Sequence, residues 1–322
     1  MRFVPVDTPK PLSKIGLGTW QFGSREWGYG PGYERRAAEI VRRAVDLGIT
    51  VFDTAELYGF GRSERILGEA LGDDRHKVVL ATKIFPVLPV APVVQQRAVA
   101  SAARLGVGHL DLYQVHQPHP LVADHTTMRG MRALQDVGLV GEVGVSNYGL
   151  RRWQVAEAAL GRRVLSNQVR YSMIDRGPEH DLLPYAKRAG RVVIAYSPLA
   201  QGFLSGRYDA KNPPSGAVRR ANPYFLPENL ERGAPLIDTL RQVADAHDAT
   251  PSQIALAYLL RHPCVVAIPG ASGVEQVERN AAAAEIDLAD DEYAALARAA
   301  REFRPITGLA AMPRLLRARA GR

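Results

Sequence analysis

The chain reads as a single (β/α)8 TIM barrel of the α/β class, and three observations carry that reading. Eight short apolar, β-branched runs alternate with eight amphipathic stretches within 322 residues. Runs such as VVLATK (78–83) and VVIAYSPL (192–199) are apolar on consecutive rather than alternate residues, as parallel strands covered on both faces require. No G-x-G-x-x-G follows a strand, so a doubly wound dinucleotide-binding sheet, with its usual count of about five to seven strands, has no motif behind it.

Taken in order, a strand at 15–20 precedes a helix at 33–47, and a strand at 49–55 precedes a helix at 63–71. The next pairs are 78–83 with 92–105, 110–116 with 125–137, 142–147 with 150–160, and 164–171 with 179–189. The seventh strand, 192–199, is matched to a helix at 251–262 and the eighth, 265–270, to one at 274–283. Two segments stand outside the repeat. Residues 200–233 form a Gly-, Pro- and Arg-rich connection far longer than the ~2–6 residues usual in α/β units, which marks a functional or disordered loop. An extra helix at 234–247 follows it, then Thr250-Pro251-Ser252-Gln253, which has an N-cap Thr, Pro at the first helical position and Gln at the third. A last helix is predicted over 290–302. No low-complexity linker divides the chain, so residues 1–311 read as one domain and 312–322 as a basic tail.

At this length roughly 75% of the unfolded surface can be buried. With 46% hydrophobic and 23% charged residues the composition is that of an ordinary soluble protein. The one cysteine, Cys264, excludes an internal disulfide and a multi-thiolate metal site, and a reducing, cytoplasmic setting is expected. The uncharged run 192–206 is too short and polar to span a bilayer, and the N-terminus lacks a signal-peptide pattern. Half of the +8 net charge lies in the tail, which holds Arg314, Arg317, Arg319 and Arg322 and no acid, so it reads as a solvated end rather than a nucleic-acid arm. Neither nucleic-acid nor membrane partners are expected.

In such a barrel reactive groups sit where strands end and their loops begin. The second strand ends at Asp53, with Tyr58 five residues on in the loop; the third ends at Lys83 and the fourth at His116. Taken singly, a strand-end Asp is often a cap, a Lys often snorkels and a His before Gln-Pro often just closes a strand. Together, at neighbouring strand ends, they have complementary proton chemistry. An ammonium beside a phenol favours the phenolate and draws Tyr58 towards neutral pH, a carboxylate keeps a buried Lys83 charged, and His116 can hydrogen-bond the atom that Tyr58 protonates. The set is a general acid aimed at a developing oxyanion, as carbonyl reduction needs. The aromatics Trp20, Trp27, Tyr29 and Phe85 are loop-side candidates for a substrate wall. His116 and His119, with His109 and His125 near, lack helical spacing and a completing carboxylate, so no metal is expected.

The motifs GLGTW (16–20), FDTAELYG (52–59), ATK (81–83), LYQVH (112–116), GVSNYG (144–149), NQVRY (167–171), AYSPLAQG (195–202) and IPGASGVEQVERN (268–280) resemble those of the aldo-keto reductases, in order and over nearly the whole chain. The resemblance implies the same barrel, a nicotinamide cofactor, usually NADPH, bound without a Rossmann fold, and a tetrad on Asp53, Tyr58, Lys83 and His116 with Tyr58 as the acid. It implies hydride transfer from nicotinamide C4 to an aldehyde or ketone, giving an alcohol. It also carries cofactor roles over to this chain: Thr19, Trp20 and Asp53 at the mouth, Ser146, Asn147 and Gln168 on the carboxamide, and Tyr196 stacked on the ring. Ser197, Pro198, Leu199 and Gln201 would follow the pyrophosphate, and Gly270, Ser272, Gln276 and Asn280 the adenosine.

The chain departs from the family where many members place a Lys and an Arg for the 2′-phosphate, for here those positions are Gly270 and Gln276, and Arg279 replaces a Glu that often contacts the adenine. In the long-loop subgroup, similar to channel β subunits and pyridoxal reductases, basic loop residues do this work, and Arg207, Arg219 and Arg220 fit that role. NADPH is therefore expected over NADH. A cofactor-bound regulatory or scaffolding subunit resembling the potassium-channel β subunits is the alternative; the absence of a long segment before the first strand favours the enzyme.

Overall fold

The computed structural model describes residues 1–23 and 32–315. Eight parallel strands follow one another around the sheet in sequence order: β1 (Leu17–Gly18), β2 (Val51–Asp53), β3 (Val79–Ile84), β4 (Leu110–Val115), β5 (Val140–Ser146), β6 (Val164–Arg170), β7 (Val192–Tyr196) and β8 (Val265–Ala267). The ring closes between β8 and β1 through parallel bridges Ile15–Ala267 and Gly18–Gly270, with Gly16 N–H donating to the Ala267 carbonyl at 2.8 Å. The eight-unit (β/α)8 expectation therefore holds, with several strands shorter than the apolar runs that announced them.

Alternation along each strand divides the core in two. Val51, Val79, Ala81, Leu112, Val192, Ile194 and Val266 fill the barrel interior, which a short N-terminal hairpin closes from below with Val4 and Leu12. Phe52, Leu80, Tyr113, Val143, Val193 and Val265 face outward into the larger core under the helices. The inward parity of β2 and β3 carries on to Asp53 and Lys83, so their side chains emerge inside the barrel mouth.

The outer layer comprises α1 (Tyr33–Asp46), α2 (Arg62–Leu71), α3 (Ala91–Leu105), α4 (Asp124–Asp136), α5 (Leu150–Leu160), α6 (Leu182–Ala189), α7 (Ala217–Arg220), α8 (Pro227–Ala246), α9 (Pro251–Leu260), α10 (Val274–Ala282) and α11 (Asp290–Glu302). Helix α1 shows the rule, burying Tyr33, Ala37, Ile40, Val41 and Ala44 on one stripe. The capping box of α9 is present: the Thr250 side chain accepts from Gln253 N–H and Gln253 Oε1 accepts from Thr250 N–H at 2.9 Å.

The long connection is more ordered than its composition suggests. It contains turns of 3-10 helix at Ala200–Ser205 and Pro223–Phe225 as well as α7, and the helix expected from 234 begins at Pro227. Gly233 and Pro235 mask its periodicity, yet Leu230, Leu236, Ile237 and Leu240 are buried at helical spacing and Gly233 leaves room for the Phe203 ring. The buried Asn229 side chain ties the chain near the C-terminus to this loop, donating to the Ile306 carbonyl at 2.9 Å and accepting from its N–H at 2.7 Å. Arg314, in the segment read as a solvated tail, pairs at the surface with Glu228 at 3.2 Å; Arg317, Arg319 and Arg322 lie outside the described residues. Among the described residues no helix is long and apolar enough to cross a membrane.

Candidate active site

Asp53 closes β2, Lys83 is the penultimate residue of β3, Tyr58 stands in the turn before α2, and His116 follows β4 directly. Lys83 Nζ, wholly buried, is held at 2.7 Å from Asp53 Oδ1 and 2.7 Å from the Thr54 carbonyl, and points its remaining hydrogen at the Tyr58 hydroxyl, 3.4 Å away. The other carboxylate oxygen of Asp53 accepts from Gln168 Nε2 at 2.7 Å and Gln114 Nε2 at 3.5 Å. The His116 ring stands edge-on to Tyr58, with centroids 5.8 Å apart, and Phe85 lies edge-on to His116 at 5.9 Å. Trp20 completes the rim, its ring 6.4 Å from that of Tyr58.

The charges follow from this packing. Burial works against the Lys83 ammonium, but Asp53 and the Tyr58 oxygen outweigh it and the net direction is upward, so Lys83 stays charged. Burial and then the Lys83 charge lower His116 to about 3, leaving a neutral imidazole whose Nδ1 is buried without a hydrogen-bond partner among the described residues. For Tyr58 the expected fall in pKa is corrected. Burial of the hydroxyl raises it by more than Lys83 lowers it, and the net shift is upward. The phenol is thus held protonated, a donor rather than a phenolate.

Around this centre, the strand ends β5 to β7 form a polar wall. Ser146 Oγ donates to the Gln168 carbonyl at 2.8 Å, Asn147 Nδ2 donates to Ser146 Oγ at 3.1 Å and to the His116 carbonyl at 3.2 Å, and the Tyr196 hydroxyl donates to Asn147 Oδ1 at 3.0 Å. Asn147, Ser197, Ala200 and Gln201 have φ of 61°, 50°, 48° and 57°, a clustering of left-handed non-glycine residues that folds sustain where a site demands it. Arg219 Nε donates to the Gln201 carbonyl at 2.9 Å and Asn222 Nδ2 to Gln201 Oε1 at 3.0 Å, so the later part of the long loop is fastened to its own first turn, five residues beyond β7.

The Aldo/keto reductase family model matches residues 14–301. The chain belongs to the aldo/keto reductase family. It is 56% identical over 308 residues to an uncharacterized oxidoreductase of Mycobacterium tuberculosis, covering 95% of both chains. The methylglyoxal reductase YeaE of Escherichia coli is 32% identical over 294 residues, covering 89% of this chain and 91% of that one. A crystal structure of an aldo/keto reductase from Klebsiella pneumoniae in complex with NADP and acetate superposes with a TM-score of 0.75 at 31% identity, covering 92% of this chain and 94% of that one. The aldo/keto reductase described here is accordingly an oxidoreductase.

Several of the side chains named from the sequence have partners within this reductase. Thr19 is fully buried, its hydroxyl donating to the Asp53 carbonyl at 2.9 Å, so it braces β1 against β2. One of the two amide hydrogens of Gln168 goes to Asp53 Oδ2, at 2.7 Å. Pro198 is buried and Leu199 half-buried in the turn that leaves β7. Gln276 Oε1 accepts from Ser272 N–H at 2.8 Å, and Asn280 is buried on α10. Arg207 and Arg220 are exposed, with no side-chain ion pair or hydrogen bond among the described residues, whereas Arg219 faces the Tyr208 ring at 5.7 Å. Trp27 and Tyr29 lie outside the described residues.

Three contributors escaped sequence reasoning. Gln114 reaches Asp53 from inside β4. Glu56, buried two residues before Tyr58, accepts from Phe85 N–H and from Arg97 Nε (the latter at 2.8 Å), tying the Tyr58 turn to the end of β3 and to α3. Gln21 lies over Gly270 and donates to the Ala271 carbonyl at 3.0 Å. The only available signal was position, since each lies within a few residues of a strand end.

Proposed function

We propose that this enzyme reduces a small aldehyde or ketone to an alcohol, with NADPH as the reductant and Tyr58 as the proton donor. The observation that carries this reading is the buried ammonium of Lys83 set between the Asp53 carboxylate and the Tyr58 hydroxyl, beside a neutral His116. When bound, the reduced nicotinamide would supply the hydride. The residues present suit such a group: the Ser146–Asn147–Gln168 wall offers hydroxyl and amide oxygens for a carboxamide, half-buried Tyr196 presents an aromatic face, and His116 Nδ1 is a buried polar atom with no hydrogen-bond partner among the described residues. Gln201, Arg219 and Asn222 form a loop suited to a pyrophosphate.

The chain's own part is to bind, orient and protonate. His116 and Tyr58 converge on one oxygen position; His116, being neutral, orients a carbonyl there without competing for the proton. As negative charge grows on that oxygen, Tyr58 gives up its proton, and Lys83 stabilises the phenolate left behind. Asp53, fixed by Gln168 and Gln114, keeps Lys83 charged through the cycle. Trp20, Tyr58, Phe85 and His116 line an aromatic mouth for the substrate's body. The test is loss of NADPH absorbance against small aldehydes, dicarbonyls, keto-sugars and pyridoxal. Turnover of one class is expected; NADPH binding with no turnover of any would overturn the reading.

A further inference from the structure

We propose that Glu56 is a positioning residue for the proton transfer: with Glu64 it bolts the segment that carries Tyr58 to β3 on both sides of Lys83, and so sets the approach of the acid to its ammonium. The inference rests on the reading of Tyr58 as proton donor. The two buried carboxylates bracket that segment, Glu56 in the loop before Tyr58 and Glu64 in the first turn of α2. Glu56 accepts from Phe85 N–H, just beyond Lys83, and its own N–H donates to the Lys83 carbonyl at 3.4 Å. Glu64 Oε1 accepts from the hydroxyl of Thr82, the residue before Lys83, at 2.6 Å. Between the two bolts the Tyr58 carbonyl accepts from Ser63 N–H at 3.2 Å, so the turn is closed on itself.

Helix α3 supplies the counter-charges. Arg97 Nε reaches Glu56 Oε2 at 2.8 Å and Arg104 Nε pairs with Glu64, the two arginines standing two turns apart on one stripe of the helix. Apolar side chains of the same volume would stabilise these positions about as well; what the carboxylates add is fixed direction, since each takes donors from β3 and α3 at once. The geometry they hold is the 3.4 Å separation of Lys83 Nζ from the Tyr58 hydroxyl and the edge-on contact of Phe85 with His116 at 5.9 Å. Among the described residues no tetrad side chain bonds to either carboxylate, so Glu56 acts on the chemistry through the backbone that carries Tyr58 and Phe85. Burial raises the Glu56 pKa against the Phe85 N–H and Arg97, the direction in which a neutral acceptor of the same shape is tolerated. Glu56→Gln is therefore the conservative variant, keeping an oxygen for the Phe85 N–H and losing only the charge.

The test is single-turnover loss of NADPH absorbance, on a substrate found in the carbonyl panel, by full-length wild type, Glu56→Ala, Glu56→Gln, Glu56→Asp and Tyr58→Phe, beside their melting temperatures and NADPH dissociation constants. Glu56→Ala and Glu56→Gln both lose the ion pair with Arg97 and should melt lower, but only the first loses the acceptor. Glu56→Ala should slow the turnover by about 10- to 100-fold and Glu56→Gln by less than about threefold, with NADPH affinity within about twofold in each. Glu56→Asp keeps the charge and withdraws the oxygens by one methylene; it should slow the turnover by about 10-fold, and it decides the matter where Glu56→Ala does not fold. A wild-type rate in Glu56→Ala, or failing that in Glu56→Asp, overturns the inference. So do rates in Glu56→Ala and Glu56→Gln that fall together with the melting temperature, as a merely structural role requires. In either case a slow Tyr58→Phe leaves the reading of the acid standing. A wild type that turns over no carbonyl, or a Tyr58→Phe as fast as wild type, removes that reading and this inference with it.

Discussion

Replacing Lys83 by methionine keeps the length of the side chain and removes only its charge and donors. In the barrel this strands the Asp53 carboxylate, 2% exposed, with two neutral amide donors, Gln168 at 2.7 Å and Gln114 at 3.5 Å, and leaves the Thr54 carbonyl without its donor. Breaking a buried pair from one side costs about 3–5 kcal/mol, mostly the penalty of the uncompensated charge. Asp53→Asn alone strands the ammonium and should cost a similar amount. The double variant removes both charges and should be less unstable than the two losses added, by an interaction of about 2–3 kcal/mol. Urea unfolding followed by circular dichroism and tryptophan fluorescence, with coincident transitions, measures all four corners of the cycle. An interaction below about 0.5 kcal/mol would refute the claim that this pair is a coupled, charged unit.

Two further outcomes follow from named contacts. The His116 pKa is depressed to about 3 from 6.5, so between these values the unfolded chain binds a proton that the native state does not. This contribution to stability is complete above about pH 6.5 and is lost as pH falls, by at most about 1.4 kcal/mol per unit; urea midpoints from about pH 7 to about pH 4 should decline less steeply in His116→Gln, and identical slopes would contradict the buried neutral ring. Gly68 of α2 packs directly on the Leu105 carbonyl at the end of α3, so Gly68→Ala should cost about 1–3 kcal/mol in the same unfolding assay despite its better helix propensity, and an unchanged midpoint would contradict the close approach.

The barrel and its reactive strand ends were legible because both are written in local pattern. Consecutive apolar residues announce doubly covered strands, and a polar residue such as Lys83 closing one announces the mouth. What pattern does not encode is which long side chains meet across strands. Gln168 on β6 reaches Asp53 on β2, and Gln21 covers Gly270; those contacts depend on barrel closure, not on spacing. The same holds for the balance at Tyr58, where adjacency of an ammonium suggested a more acidic phenol but the depth of burial reverses the sign. Helix α8 was read short because Gly233 and Pro235 speak against helix locally, while packing of Phe203 and Leu236 decides for it.

In the proposed reduction Tyr58 protonates the carbonyl oxygen. Steady-state turnover of Tyr58→Phe, on a substrate found in the carbonyl panel, tests it most directly when measured beside NADPH affinity. In that variant kcat should fall by about 10²- to 10⁴-fold with the dissociation constant for NADPH unchanged, because only the proton donor is lost. A Tyr58→Phe enzyme that turns over as fast as wild type would contradict it.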